Sequence, residues 1–296
     1  MASVQSTTSP NASCRCSSDK THMVFRRGSR IEIKTPEQFQ CMRQAGLVVC
    51  KTLNLVKEMT SAGMTTNDID AIAREQLKHY GAESSFLGYH GYPATICVSV
   101  NEEVVHGIPG KRTLHEGDLV SVDFGAVIEG WHGDAAISFG IGELDEQSQR
   151  LIDVTERALW AGLAKAIAGN TVSDISHAVE STVKADGDWK VIEDYVGHGI
   201  GSRMHMEPPV PNYGPPGKGP QLRVGMAVAV EPMITVGTIE TKVLVDDWTV
   251  VTTDDSRAAH WEHTVCITEE GPWVTTSLDG GHARLTALGL SVPLRA

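Results

Sequence analysis

The chain has no apolar run long enough to span a membrane, and its N-terminus lacks an apolar signal core. Its six cysteines, Cys14, Cys16, Cys41, Cys50, Cys97 and Cys266, contain no C-x-x-C pair and no disulfide-dense spacing, which suits a reducing compartment. An excess of positive charge is missing too: the net charge is −12, so the overall field disfavours nucleic acid. The small basic group Arg26, Arg27, Arg30 and Lys34 reads as a solvated face. With 296 residues and 41% hydrophobic content, the chain can bury a full core as one large domain or two small ones. A soluble, cytoplasmic protein is expected, with no membrane association and no specific nucleic acid.

Residues 1–30 are rich in Ser and Thr and poor in large apolar side chains, the composition of a flexible tail. Cys14 and Cys16 have no second Cys/His pair nearby to complete a zinc knuckle, and Met23 could serve as an alternative start. Order is expected from Thr35, where Thr35-Pro36-Glu37-Gln38 forms a capping box with Pro at the first helical position. The spacing predicts a helix to about Met59, and a second from Thr65 through Lys78 ended by Gly81. β-structure should follow over 86–139. Helices opened at Asp145 and at Thr171 come next, then strands and loops over 190–278. Residues 31–278 read as one catalytic body, and 279–296 as a C-terminal extension.

An internal repeat underlies this order. Gly63, Thr65, Asp68 and Ile69 recur 106 residues later as Gly169, Thr171, Asp174 and Ile175, each set following a long helix and preceding a β-rich stretch. Matched caps alone could be coincidence, since Thr and Asp favour helix starts. The shared order of helix, helix and strands favours duplication.

The chemistry lies in four carboxylates and one imidazole: Asp123, Asp134, Glu231, Glu262 and His198. Each sits among small or β-branched residues that read as a buried strand or a glycine-lined turn. Carboxylates in such places are costly unless a cation meets them. Strand alternation puts Ser121, Asp123 and Gly125 on one face and Val120, Val122 and Phe124 on the other. A two-residue turn at Glu129-Gly130 would pair Asp123 with Ala136 and leave Asp134 on the same face, diagonally about 7–8 Å away. Two carboxylates so placed can reach a metal pair about 3.5–4 Å apart. Alone, the two aspartates could equally lie on a solvated hairpin face. The other three residues shift the balance to a pair of divalent ions in one oxygen-rich site.

Several segments together resemble type I methionine aminopeptidases, of peptidase family M24. They are Tyr195-Val196-Gly197-His198-Gly199-Ile200-Gly201 with His205 and Val210-Pro211-Asn212-Tyr213; Asn101-Glu102 with Val104-Val105-His106-Gly107-Ile108-Pro109; His132-Gly133-Asp134; Val230-Glu231-Pro232-Met233; and Trp261-Glu262-His263-Thr264. The resemblance runs from about residue 35 to 275. It implies the α/β (α+β) pita-bread fold, two pseudo-symmetric halves with helices backing a curved, mostly antiparallel sheet. It implies that Asp123 chelates one metal, Asp134 and Glu262 bridge both, and His198 and Glu231 bind the other, with a bridging hydroxide as nucleophile. Glu231 would accept the proton from that water, His205 would stabilise the oxyanion, and His106 would contact the scissile nitrogen.

The implied activity is removal of the initiator methionine from nascent proteins whose second residue is small. Mn, Fe, Co and Zn all suit such ligands. The implied methionine pocket comprises Phe86, Tyr89, Tyr92, Cys97, Met204 and Trp248, with His90 at its rim; aromatic edges around a thioether contribute about 0.3–1.5 kcal/mol per contact. A monomer working near the ribosome is expected, without the zinc-finger or proline-rich extensions that some relatives use for docking there. Three positions depart from the family pattern: Gly125 where Thr is frequent, Phe86 where Cys is frequent, and Met204 where Phe is frequent. The missing hydroxyl at Gly125 is expected to alter metal affinity, and the apolar wall to preserve methionine preference. Xaa-Pro-specific relatives share the fold and ligands but usually carry an extra N-terminal domain. A non-catalytic pita-bread binding protein would be expected to have lost ligands, and none is lost here.

Overall fold

The computed structural model describes residues 31–294. The tail over 1–30, with Cys14, Cys16 and Met23, lies outside the described residues. Helix α1 (Pro36–Met59) starts where the capping box predicts: Thr35 N–H donates to Gln38 Oε1 at 2.8 Å and Gln38 N–H to Thr35 Oγ1 at 3.3 Å. Its buried stripe, Phe39, Met42, Val49, Leu53 and Val56, follows the helical period. Helix α2 (Thr66–Tyr80) ends at Gly81, whose φ of 63° supplies the left-handed cap. Helices α3 (Glu146–Leu163) and α4 (Val172–Asp186) repeat the pair, and a short α5 (His282–Ala287) follows. Among the described residues, no helix is long and apolar enough to cross a membrane.

One nine-stranded sheet forms the centre. Its hydrogen-bonded order is Glu83–Ser84, Leu119–Ile128, Trp131–Gly140, Glu262–Thr268, Ala227–Val230, Gly197–Gly199 and Met206–Val210. Cys97–Val100 adds beside Leu119–Ile128, and Gly271–Val274 beside Glu262–Thr268. All these pairings are antiparallel. A curled antiparallel sheet backed by helices is the pita-bread arrangement expected from the sequence. Two three-stranded sheets flank it, one placing Met233–Thr235 between Ala258–His260 and Lys190–Val191.

Two cores correspond to the two halves. In the first, Val49, Leu53, Val56, Ile69 and Ala73 of α1 and α2 pack on Val120, Val122 and Phe124. In the second, Leu151, Leu159, Leu163, Ile175 and Val179 of α3 and α4 pack on Val228, Val230 and Val265. Burying each such side chain contributes about 1.5–3 kcal/mol. Leu285 of α5 and Val292 also bury in the second core, so the stretch after residue 278 packs on that half.

The internal repeat is visible in backbone hydrogen bonds. Gly63 N–H donates to Leu114 O at 2.8 Å and Gly169 N–H to Leu222 O at 3.0 Å. Thr66 N–H donates to Arg112 O and Val172 N–H to Pro220 O, both at 3.0 Å. Asp68 and Asp174 cap their helices alike, each accepting from a threonine N–H at 2.7 Å. Chance placement of cap residues would not reproduce their long-range partners. The helices lie on the sheet's apolar face, leaving the opposite face for Asp123 and its neighbours.

Candidate metal centre

The Leu119–Ile128 and Trp131–Gly140 strands meet at Glu129 and Gly130, whose φ values of 50° and 79° are those of a type I′ turn. That turn sets the register, pairing Asp123 with Ala136 and Gly125 with Asp134, so both aspartates share a face as the parity argument requires. Long-range pairing brings in the rest. Glu262 pairs with Ala136, extending the row Asp123–Ala136–Glu262, in which only a methyl group stands between the carboxylates. His263 pairs with Val230, which puts Glu231 at the neighbouring strand end, and His198 pairs with Ala229. Gly197 and Gly199 permit this last pairing: a Cβ would come within 2.3 Å of Ala229 O at the first and 2.1 Å of Glu207 O at the second.

The side chains converge. His198 Nε2 lies 3.6 Å from Glu231 Oε1 and 4.0 Å from Glu262 Oε1. Donor atoms of Asp134, His198 and Glu262 all fall within 4.8 Å of one another. His198 Nδ1 is 3.0 Å from Gly199 O; a carbonyl only accepts, so Nδ1 carries the proton and Nε2 presents its lone pair to the carboxylates. Thr264 Oγ1 holds the backbone of Asp134 on both sides, accepting from its N–H at 3.0 Å and donating to its C=O at 2.8 Å.

Electrostatics show what the cluster needs. Burial, then repulsion from neighbouring acids, holds the carboxyls of Asp123, Glu231 and Glu262 well above the usual carboxylate range. Burial pushes Asp134 up to about 7, opposed by hydrogen bonding to Asp123 and the Ala135 backbone. The same burial lowers His198 to about 4. Among the described residues, no Lys or Arg forms an ion pair with these carboxylates. Asp123 Oδ1, Asp134 Oδ1 and Glu262 Oε1 are buried without a hydrogen-bond partner. Such orphans are rare unless an ion or water meets them. Divalent cations fit this donor set: four oxygen ligands and an imidazole can neutralise two of them.

A sixth group was not anticipated from the sequence. His260 Nε2 lies 3.8 Å from Glu231 Oε2, and donor atoms of Glu231, His260 and Glu262 fall within 4.8 Å of one another. Parity could have found it, since His260 stands two residues before Glu262 and so shares its face.

His205 and His106 flank the cluster. The His205 ring centroid is 4.3 Å from that of His198, and its Nδ1 is 2.7 Å from Tyr89 Oη. Burial, then the neighbouring imidazoles, keep His205 well below the usual histidine range, and burial alone takes His106 to about 4. His106 sits in the left-handed region at φ 61°, a backbone position that is costly for a residue with a Cβ. Its ring stands edge-on to Tyr195 and Trp248 at 5.8 and 6.2 Å.

Residues 40–269 match the metallopeptidase family M24. The chain belongs to that family. It is 51% identical over 247 residues to the methionine aminopeptidase of Clostridium acetobutylicum, covering 83% of this chain and 98% of the relative. It is 46% identical over 238 residues to methionine aminopeptidase 1 of Bacillus subtilis, covering 80% and 96%. The crystal structure of the Thermotoga maritima methionine aminopeptidase superimposes with a TM-score of 0.82 at 44% identity, over 84% of this chain and all of that one. The Pyrococcus furiosus prolidase, at 22% identity and a TM-score of 0.64, shares the fold. The resemblance read from the sequence is borne out, and the chain is a metallopeptidase.

Beside the donors, this M24 metallopeptidase carries a separate apolar cluster. Phe86, Tyr92, Ala94, Cys97 and Met204 are buried together, with Tyr89, Ile108 and Trp248 packed against them. The pairing of Cys97 with Asp123 sets the cluster next to the buried carboxylates. Tyr92 meets Trp248 edge-on at 5.0 Å and donates its hydroxyl toward Ile96 O and Gly107 O, each at 3.1 Å. His90 stays outside the cluster, exposed and edge-on to Tyr89 at 4.4 Å.

Gly125 and Phe86, each expected to depart from the family pattern, lie against each other. A Cβ at Gly125 would lie 2.9 Å from Phe86 Cε1 and 2.7 Å from Ser85 Cβ. The phenyl ring thus crowds the space that a larger residue 125 would enter. Gly125 and Phe86 therefore share one packing site.

Proposed function

We propose that this chain removes N-terminal methionine from nascent proteins whose second residue is small, at a dinuclear centre held by Asp123, Asp134, His198, Glu231 and Glu262. The observation that carries this reading is the convergence of orphaned carboxylates and His198 beside the apolar Phe86–Tyr92–Cys97–Met204–Trp248 cluster. Two divalent ions, drawn from Mn, Fe, Co or Zn, would acidify a water and polarise the scissile carbonyl.

The chain's own residues do the rest. Glu231, at a strand end and partly open, accepts the proton of the attacking water. Tyr89, whose acidity is suppressed mainly by burial, keeps its proton and donates to His205 Nδ1. This leaves His205 neutral with Nε2–H as the donor to the developing oxyanion. His106 addresses the scissile nitrogen, and the aromatic cluster takes the thioether side chain. Nascent chains emerging in the cytoplasm are the natural substrates, and a monomer suffices.

Mass-spectrometric cleavage of Met-Ala-Ser and Ala-Pro-Ser peptides by the metal-loaded protein, with a chelated control, tests the proposal. Metal-dependent loss of Met from the first peptide alone is expected. Cleavage only before proline would move the chain to Xaa-Pro specificity. Inactivity on both with metals bound would leave a binding protein.

A further inference from the structure

We infer that His260 is a further protein ligand of the metal centre, acting with Glu231 and Glu262. This rests on the dinuclear reading above and adds a donor to it. His260 is only 2% exposed, and its Nε2 is buried without a hydrogen-bond partner. A histidine that merely fills a core has its ring nitrogens satisfied, because an unmet buried polar atom costs about 1–3 kcal/mol. Here Nε2 faces a carboxylate oxygen at 3.8 Å, too far for a hydrogen bond. Two ligands each about 2.1 Å from one ion, at bond angles between tetrahedral and about 130°, lie about 3.4–3.8 Å apart. The separation of His260 Nε2 from Glu231 Oε2 fits that spacing, as does the 3.6 Å from His198 Nε2 to Glu231 Oε1. Glu231 thus presents one oxygen to each imidazole. The two donor groups, Asp134–His198–Glu262 and Glu231–His260–Glu262, share Glu262 and contain one imidazole apiece.

The position of His260 is constrained as a ligand's should be. Its N–H donates to Ser138 Oγ at 3.0 Å, and its C=O accepts from Ser138 Oγ at 2.8 Å. Ser121 Oγ, 2.7 Å from Ser138 Oγ, backs this contact, and His260 pairs with Met233 in the flanking sheet. These bonds hold the backbone and leave the ring free to coordinate, as precise metal sites require. A second imidazole shifts the donor set from nearly all-oxygen toward nitrogen. Zn and Co gain more from nitrogen donors than Mn does, so His260 sharpens the preference for them.

The direct test uses the wild-type protein labelled with 15N-histidine and loaded with Zn. Coordinated Nε2 atoms are counted from their 15N shifts, with ion stoichiometry measured by calorimetry. Two coordinated imidazoles are expected. Two bound ions with one coordinated imidazole would overturn the role of His260 while leaving the dinuclear centre standing. One bound ion with one coordinated imidazole would remove both. His260→Gln, which keeps the volume and a polar end, should weaken Zn binding by about 10–100-fold and Mn binding less. Equal loss for both metals would refute the preference.

Discussion

The complementarity of Gly125 and Phe86 makes a quantitative prediction. Carbon atoms pack best about 3.5–4.0 Å apart. A Cβ at position 125 would sit 2.7 Å from Ser85 Cβ and 2.9 Å from Phe86 Cε1. Ser85 cannot yield freely, because its N–H bonds Gly125 O at 3.1 Å and its hydroxyl is 2.9 Å from His132 Nδ1. Overpacking of this kind costs about 1–3 kcal/mol, and Gly125→Thr, which adds two further heavy atoms, belongs at the upper end. At about 2–4 °C per kcal/mol, the melting temperature should fall by about 4–12 °C. Phe86→Cys alone leaves a cavity and destabilises by about 2–4 kcal/mol. The double variant should cost about 1–2 kcal/mol less than the two together, since the Phe86 clash disappears while the Ser85 clash persists. Urea denaturation of the four metal-free proteins measures this cycle. A Gly125→Thr cost below about 0.5 kcal/mol, or strict additivity, would refute the idea that the two positions compensate each other.

Glu231→Gln and Asp134→Asn should abolish turnover with the fold retained by circular dichroism; near-wild-type rates in either would sink the mechanism. His205→Ala should slow turnover strongly while calorimetry still finds the metals, and Tyr89→Phe should cost kcat about 2–10-fold through the lost hydrogen bond to His205; metal loss in His205→Ala would contradict the assigned role. In metal-free protein, Asp134 is raised to about 7 from an ordinary 3.8, so folding loses stability as pH rises through that interval. Metal-free Asp134→Asn escapes this loss, so it should be more stable than wild type at pH 8, with the gap closing toward pH 4. Urea midpoints at the two pH values in chelator would decide, a constant gap counting against the titration.

What could be read from the chain alone was local. The capping box at Thr35 and the matched caps at Thr65 and Thr171 depend on residues three apart, and a helix start obeys such neighbours directly. The Asp123–Ala136 pairing was also predictable, because a two-residue turn and period-two alternation leave only one register for that hairpin. The proposed five-ligand set was different. Parity put Asp123 and Asp134 together; Glu231, Glu262 and His198 were grouped with them by their similar small-residue settings, and only family resemblance gave each a place at the metals, since no local rule states which strands will be neighbours.

His260 shows the limit from the other side. It carried the parity signal beside Glu262, yet its significance needed the 3.8 Å approach to Glu231 from another strand. Likewise the family resemblance assigned Tyr89 to a pocket, while its bond to His205, 116 residues away, could not be foreseen. The sequence by itself determined the starts of the four long helices, the repeat, the hairpin register and the chemical kinds of donor, because these follow from short-range sterics and hydrogen bonding. Tertiary structure alone decided that Glu262 lies beside Ala136, that His260 meets Glu231, and that Phe86 occupies the space Gly125 leaves. Those contacts join residues far apart in the chain, and only the closing of the two halves into one sheet brings them within reach.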